Sequence, residues 1–278
     1  MTVPARARRA VTAAAAAAAG WLLYEAAWRE PRRLVVRPQD LELPNWPAAH
    51  DGFIVALVAD LHAGAGHMTP SRVASVVDAV LEHDPDLVLL LGDYVDSTWL
   101  GRGRAEPAEV ARALARFPRR LAVLGNHDWR AAGAAMGQAL REAGIPVLEN
   151  AAHEVAPGLW VGGTAEYRFR EPDVRATLAE VPSDAAVLMM IHDPDLFPRI
   201  PARVALTVAG HLHGGQVNLP LLRRAMLPTR YGERYLAGHV VEGGRHLYVS
   251  AGLGTAGLPV RLRRRPEVPL LRLRRAAG

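Results

Sequence analysis

The 278-residue chain contains no cysteine and no lysine. Without cysteine, disulfides, thiolate nucleophiles and zinc–cysteine sites are all excluded, although the redox compartment cannot be read from that absence. Without lysine, all 33 basic residues are arginine. That bias belongs to coding composition, so the net charge of +5 is no argument for a nucleic-acid partner, and none is expected. A surface that attracts anionic substrates or lipid headgroups is still compatible with it. There is no internal repeat of fixed period and no low-complexity tract beyond the alanines near the N-terminus. What is present is globular: 50% apolar and 22% charged residues, enough for one large domain with a full core, or one domain plus a tail.

Residues 1–33 stand apart. Arg6, Arg8 and Arg9 precede an apolar run over 10–24 that Glu25 breaks. Basic residues before a short apolar segment describe a signal peptide or a membrane anchor. The uninterrupted run is short for a spanning helix, and extension to Trp28 gives the required ~20 residues only by including Glu25. Trp21, Tyr24 and Trp28 suit a membrane interface. Ala17 and Ala19 fit a small-residue cleavage pattern, and Arg8-Arg9 a weak twin-arginine signal. The alternative is an Ala-rich helix docked on a cytoplasmic domain.

From residue 34 onward the pattern is α/β. An edge-type strand over 34–43 is interrupted by Pro38, and buried strands follow over 53–59 and 87–91. Between them Thr69-Pro70 starts a helix, with Thr as N-cap and Val73, Val76, Val77, Val80 and Leu81 on one face. That makes a βαβ unit. Helices are expected over 107–117 and 131–143, and a strand over 121–124. Short strands follow at 146–148, 154–155, 159–161, 185–191 and 204–209, then a hairpin turning at Gly243-Gly244 and a last strand over 268–273.

Five of these strands end in metal-ligand chemistry: Asp60-x-His62, Asp93, Asn126, His192 and His211-x-His213. The C-terminal edge of a parallel sheet is where α/β folds place their sites. Of eleven histidines, His62, His127, His192, His211, His213 and, less tightly, His67 fall at or just after strand ends. Imidazole, carboxylate and amide oxygen together suit borderline or hard divalent ions such as Mn, Fe or Zn. Seven donors are too many for one tetrahedral ion. They suit two ions roughly 3.5–4 Å apart with a shared carboxylate, which lower the pKa of a bridging water and clamp the oxygens of an in-line displacement at phosphorus.

Asp60-Leu61-His62, Gly92-Asp93-Tyr94-Val95-Asp96, Gly125-Asn126-His127-Asp128, His192 and Gly210-His211-Leu212-His213 resemble, in order, the five blocks of the calcineurin-like metallophosphoesterases. The resemblance runs from about Leu34 to the end. Ile191-His192-Asp193-Pro194-Asp195, Gly214-Gly215-Gln216, Gly252-Leu253-Gly254 and Pro259-Val260-Arg261 are similar to the bacterial YkuE/YaeI-type branch, which commonly has Asn where this chain has Asp193. The resemblance implies a four-layer α/β/β/α sandwich over 34–278, preceded by an apolar N-terminal helix. It implies that Asp60, His62 and His213 hold one ion, that Asn126, His192 and His211 hold the other, and that Asp93 bridges them. His127 would face the leaving-group or phosphoryl oxygens, with Asp128 orienting it. The expected substrate is a phosphate ester. In this branch it can be lipid-linked, as in UDP-2,3-diacylglucosamine, and Arg223, Arg224, Arg230 and Arg234 are candidates to meet its anionic headgroup. The alternatives are a broad phosphodiesterase or nuclease, and a non-catalytic scaffold that keeps the fold.

Overall fold

Two runs of apolar residues make the centre of the first sheet. Phe53–Val58 (β2) and Leu87–Leu90 (β3) lie parallel, with Val55 opposite Leu87 and Val58 opposite Leu90. Their side chains alternate between two cores: Ala56, Val58, Val88 and Leu90 face helices, while Val55, Leu57, Leu87 and Leu89 face a second sheet. Burial on both faces is why these strands read as continuous apolar runs. The structure, a computed structural model, describes residues 5–99, 104–219, 223 and 227–276.

The N-terminal helix α1 spans Ala5–Tyr24. It continues through a wide π-type turn over Glu25–Arg29 and a tight 3₁₀ turn over Glu30–Arg32. The first strand, β1 (Val35–Leu43), lies at the sheet edge, where Pro38 costs no ladder bond. Helix α2 (Pro70–Leu81) crosses from β2 to β3. Its N-cap Thr69 accepts the Arg72 N–H at 3.2 Å, and Val73, Val76, Val77 and Val80 are buried. Helix α3 (Pro107–Leu114) leads to β4 (Arg120–Ala122), parallel to β3.

The expected helix over 131–143 is two helices, α4 (Asn126–Ala132) and α5 (Ala135–Glu142). Gly133, at φ 55°, breaks them apart. The first begins at Asn126 because Asp128, at the third helical position, accepts the N–H of Gly125 at the N-cap.

The second sheet collects β5 (Ala151–Ala156), β6 (Leu159–Gly163), β7 (Ala186–Met190), β8 (Leu206–Ala209) and the hairpin β9 (Gly238–Glu242) and β10 (Arg245–Val249). Its order is β5-β6-β7-β8-β10-β9. Gly243 and Gly244 turn the hairpin with φ of 56° and 73°, as a type I′ turn requires. The final strand, β11 (Glu267–Arg275), does not extend this sheet. It inserts between β1 and β2, parallel to the first and antiparallel to the second.

The sheets face each other across a core that includes Leu43, Trp46, Leu57, Leu89, Val161, Leu188, Met190 and Val208. Helices α2, α3 and α5 cover the outer face of the first sheet. A thinner layer covers the second: the single turn α6 (Val174–Thr177) and a 3₁₀ segment, Pro194–Arg199, that buries Leu196 and Phe197. The result is an α/β/β/α sandwich with an apolar N-terminal helix.

Candidate metal centre

The loops after β2, β3, β4, β7 and β8 all open at one edge of the paired sheets. There they bring together every predicted ligand: Asp60, His62, Asp93, Asn126, His192, His211 and His213, all buried. The ladder extends past the strands to hold them, with the Asp60 N–H donating to Gly92 O at 3.0 Å and the His62 N–H to Asp93 O at 2.9 Å. Five of the seven sit in the left-handed region: Asp60, His62, Asp93, His211 and His213, with φ between 46° and 73°. That conformation disfavours side chains with a Cβ, and it costs of order 1–3 kcal/mol where it is imposed. Here it turns each side chain back over the sheet edge. Two glycines clear the space. A Cβ on Gly125 would overlap Asp93 Oδ1, and one on Gly252 would lie 2.7 Å from Asp60 Oδ2.

Ligand-bearing atoms converge in groups: Asp60, His62 and His213; Asp93, His192 and His211; and His62 and Asp93 again with His127. His62 and His213 meet at 3.1 Å through their Nε2 atoms. Asp93 Oδ2 lies between the groups, 3.5 Å from His62 Nε2 and 3.3 Å from His192 Nε2. Asn126 Oδ1 is 3.3 Å from the same His192 nitrogen, and His211 Nδ1 is 3.2 Å from it. His192 Nδ1 donates to Leu91 O at 2.7 Å, which turns Nε2 toward the shared space.

This donor set fits two cations. Burial holds His211 and His213 well below the usual histidine range, so both are neutral imidazoles, the form that binds metal. Burial also pushes Asp60 up, to about 6. On His192 burial acts downward, but Asp93, Asp60 and the Leu91 carbonyl together outweigh it and hold the pKa well above the usual value. A cluster that takes up protons to neutralise its own carboxylates is one that a divalent cation would neutralise instead.

The supporting residues differ from expectation. Asp128 does not orient His127. Its carboxylate accepts four backbone N–H groups, from Asp93 (2.8 Å), Tyr94 (2.7 Å), Val95 (3.2 Å) and Gly125 (2.9 Å), and so clamps two ligand loops together. The His127 side chain instead meets Ser97, with Oγ 2.7 Å from Nδ1, and lies 3.9 Å from Asp96. Asp96, which reads as a turn residue, stands 3.5 Å behind His62 Nδ1, the carboxylate–histidine arrangement that orients metal ligands.

Arg168 and Asp193 back His211. Arg168 Nη2 is 3.0 Å from His211 Nε2, Asp193 Oδ2 is 3.6 Å from it, and the two side chains pair at 3.5 Å. Arg261 is fully buried behind His213, 3.4 Å from its Nδ1, and donates to Gly254 O and Ala251 O. The GDYVD block hinted at Asp96. Nothing in the order of residues pointed to Ser97 or Arg168.

A cleft of about 180 Å³ opens over the cluster, lined by Asp93, Asn126, His127, Arg130, Arg168 and Pro228 among others. Of the four arginines expected at an anionic headgroup, the three described ones do not act together. Arg223 is bound by Glu233, and Arg234 by Glu242. Arg230 lies over the Tyr167 ring, beside the cleft. Arg224 lies outside the described residues.

This edge, with carboxylates, imidazoles and an amide converging from five strand ends, defines a metal-dependent hydrolase site. The family model for calcineurin-like phosphoesterases matches residues 53–215, and the chain belongs to that family. It is 28% identical to the uncharacterized metallophosphoesterase YkuE of Bacillus subtilis over 95% of this chain and 94% of that one. It is 32% identical to the phosphodiesterase YaeI of Escherichia coli, over 80% and 82%. It is also 26% identical to a transmembrane protein with a metallophosphoesterase domain from Danio rerio, over 85% of this chain and 57% of the relative. The chain is a phosphoester hydrolase, and members of the family use two divalent metals.

Proposed function

We propose that this enzyme hydrolyses a phosphate ester or pyrophosphate presented at a membrane surface, with residues 1–33 as the anchoring segment and 34–278 as the catalytic domain. The observation that carries this is the exposure of the N-terminal helix. Arg6–Arg32 is long and apolar enough to cross a membrane, and Val11, Trp21, Leu22, Leu23 and Tyr24 are all exposed. At 1.5 Å per residue the 20 residues of α1 cover about 30 Å, the thickness of the hydrocarbon core. Among the described residues, 6–24 have no buried side chain, which supports the anchor reading over the docked helix for that stretch.

At the site, Asp60, His62 and His213 would hold one ion, Asn126, His192 and His211 the other, and Asp93 would contact both. Two such ions supply a water of lowered pKa and neutralise charge on the phosphoryl oxygens. The chain's own residues do the rest. The Leu91 carbonyl fixes the tautomer of His192, and the Asp96 carboxylate stands 3.5 Å behind His62. Asp128 holds the loops of Asp93 and Asn126 in mutual register. Burial lowers His127 to about 4, so its imidazole is neutral at pH 7. A Ser97 hydroxyl donating to Nδ1, one of the two directions the 2.7 Å contact allows, would keep the proton on Nε2. From there it hydrogen-bonds the phosphoryl or leaving-group oxygen as charge develops.

The test is a substrate panel given to the full chain and to a chain lacking residues 1–24. It comprises bis(p-nitrophenyl) phosphate, a soluble phosphomonoester, and UDP-2,3-diacylglucosamine in vesicles. Loss of activity on the lipid with retention on the soluble diester supports membrane presentation. Equal activity of both chains on every substrate points to the other reading, a broad phosphodiesterase.

A further inference from the structure

The junction between the N-terminal helix and the catalytic domain is held by hydrogen bonds. Ala26 O accepts the Arg261 N–H at 2.8 Å, and the Arg72 guanidinium donates to Arg32 O at 2.9 Å. The Glu30 carboxylate, only 8% exposed, accepts the backbone N–H groups of Arg263 at 2.8 Å and Arg264 at 2.5 Å. This pins the loop after Arg261 to the base of the helix, with Arg263 at φ 56°.

A cleft of about 560 Å³ opens at this junction, and Arg33, Arg37, Arg263, Arg264 and Arg265 contribute to its walls. Its acids are already engaged. Glu30 holds the loop backbone, Glu25 pairs with Arg29 at 2.8 Å, and Glu267 holds Arg37 at 3.2 Å and the Ala251 N–H at 3.1 Å. Among the described residues, Arg33, Arg263 and Arg265 have no side-chain hydrogen bond or ion pair, and Arg264 Nε is buried without a partner. The arginines of the cleft outnumber the carboxylates Glu25, Glu30 and Glu267 that share its walls, so it keeps an excess of positive charge. One turn before it, Tyr24 and Trp28 are exposed on the apolar helix, with the Arg32 guanidinium 3.6 Å over the Trp28 ring. Aromatic side chains of that kind sit at the lipid headgroup level. Arg33 lies just past the 3₁₀ turn Glu30–Arg32 that follows Trp28, so with Trp28 at the headgroup level the cleft mouth would lie near the lipid phosphates.

We propose that the cleft between the helix base and the Arg263–Arg265 loop binds the phosphate of an anionic membrane phospholipid and thereby fixes the tilt of the catalytic domain on the bilayer. This rests on the membrane reading of the helix given above. The charge complementarity, and the continuity of the cleft with an exposed apolar helix, favour a lipid over a soluble anion.

The test uses the full chain and the variant Arg33→Gln/Arg263→Asn/Arg265→Gln. Asn is chosen at 263 because it tolerates the left-handed backbone there. Both proteins are floated with vesicles of phosphatidylcholine alone and of phosphatidylcholine with phosphatidylglycerol. The lipids retained from equimolar mixed micelles are then quantified. A cationic side chain at an anionic surface is worth about fivefold. The native chain should therefore retain phosphatidylglycerol over phosphatidylcholine by on the order of tenfold or more, and the variant should lose that preference. Both should float with both vesicles and keep the same Tm. A control of equal charge loss, Arg112→Gln/Arg141→Gln/Arg175→Gln on the helical faces, should leave the preference intact. Flotation without a lipid preference, a preference that survives in the variant, or one equally lost in the control overturns the headgroup site while the anchor stands. Displacement of the retained lipid by millimolar inorganic phosphate assigns the cleft to soluble anions and overturns it as well. Failure of the native chain to float with either vesicle overturns the anchor, and this site with it.

Discussion

The backbone N–H of Asp93 donates to the buried carboxylate of Asp128 at 2.8 Å. Through that bond a residue on the first turn of α4 sets the position of the acid at the end of β3. Asp128→Asn keeps the size but leaves one oxygen to serve four N–H donors and adds an amide with no acceptor. Buried unsatisfied groups cost ~1–3 kcal/mol each. The variant should lose about 2–4 kcal/mol in urea unfolding, and metal affinity should fall with it. A loss of rate alone, with unchanged stability and metal content, would instead make Asp128 an orienter of His127.

Asp93→Asn tests the shared ligand. Asn tolerates the φ of 56° at this position, so the loop should persist. An amide cannot serve two cations as a carboxylate does. Metal content by elemental analysis should drop below one ion per chain, and turnover should fall by at least ~10³-fold. Two ions retained through dialysis would refute the shared role.

His127→Gln should keep both ions and lower turnover by ~10²–10⁴-fold, the usual range for a positioned proton donor or acceptor. The loss should shrink for p-nitrophenyl leaving groups, which need little stabilisation. Ser97→Ala, which frees Nδ1, should cost about tenfold, and less in the His127→Gln background. Additive losses in the double variant would show that the 2.7 Å contact does not serve the reaction.

The Glu30 contacts separate two truncations. Removal of residues 1–24 takes away only exposed helix and should leave Tm unchanged. Removal of residues 1–31 also deletes Glu30 and strips the Arg263 and Arg264 N–H groups of their acceptor. That should cost ~1–3 kcal/mol, or about 3–8 °C in a domain of this size. Both truncations should leave the membrane fraction. Calorimetry beside membrane fractionation reads the two effects independently.

His67 supplies a pH dependence away from the metal ligands. Burial, with the fields of Arg32, Arg72 and Arg261, lowers its pKa to about 4. The unfolded chain has a histidine near ~6.5 and therefore binds the proton first on acidification. Its contribution is complete above pH ~6.5 and is lost as pH falls toward 4, a change of about 2–3 kcal/mol. In metal-free protein, His67→Gln should flatten the pH dependence of urea stability over that window by this amount. An unchanged slope would show that His67 titrates normally.

What the sequence alone determined were the features carried by local order. Apolar runs such as 53–58 and 87–90 specify strands buried on both faces. Thr69-Pro70 starts a helix by its own capping chemistry. Asp60, His62, Asp93, Asn126, His192, His211 and His213 follow strand ends, and that periodic placement is visible without coordinates. Tertiary structure decided whatever depends on neighbours distant in the chain. The insertion of β11 between β1 and β2 is a pairing across more than 200 residues, which no local pattern encodes. The left-handed backbone at five ligands is imposed by surrounding contacts against intrinsic preference. Asp128 clamps two ligand loops and Ser97, not Asp128, meets His127, because hydrogen bonds are settled by distance in space. Glu30, one charge in a helix sequence, became the key of the junction between helix and domain only when the chain folded back 233 residues later to meet it.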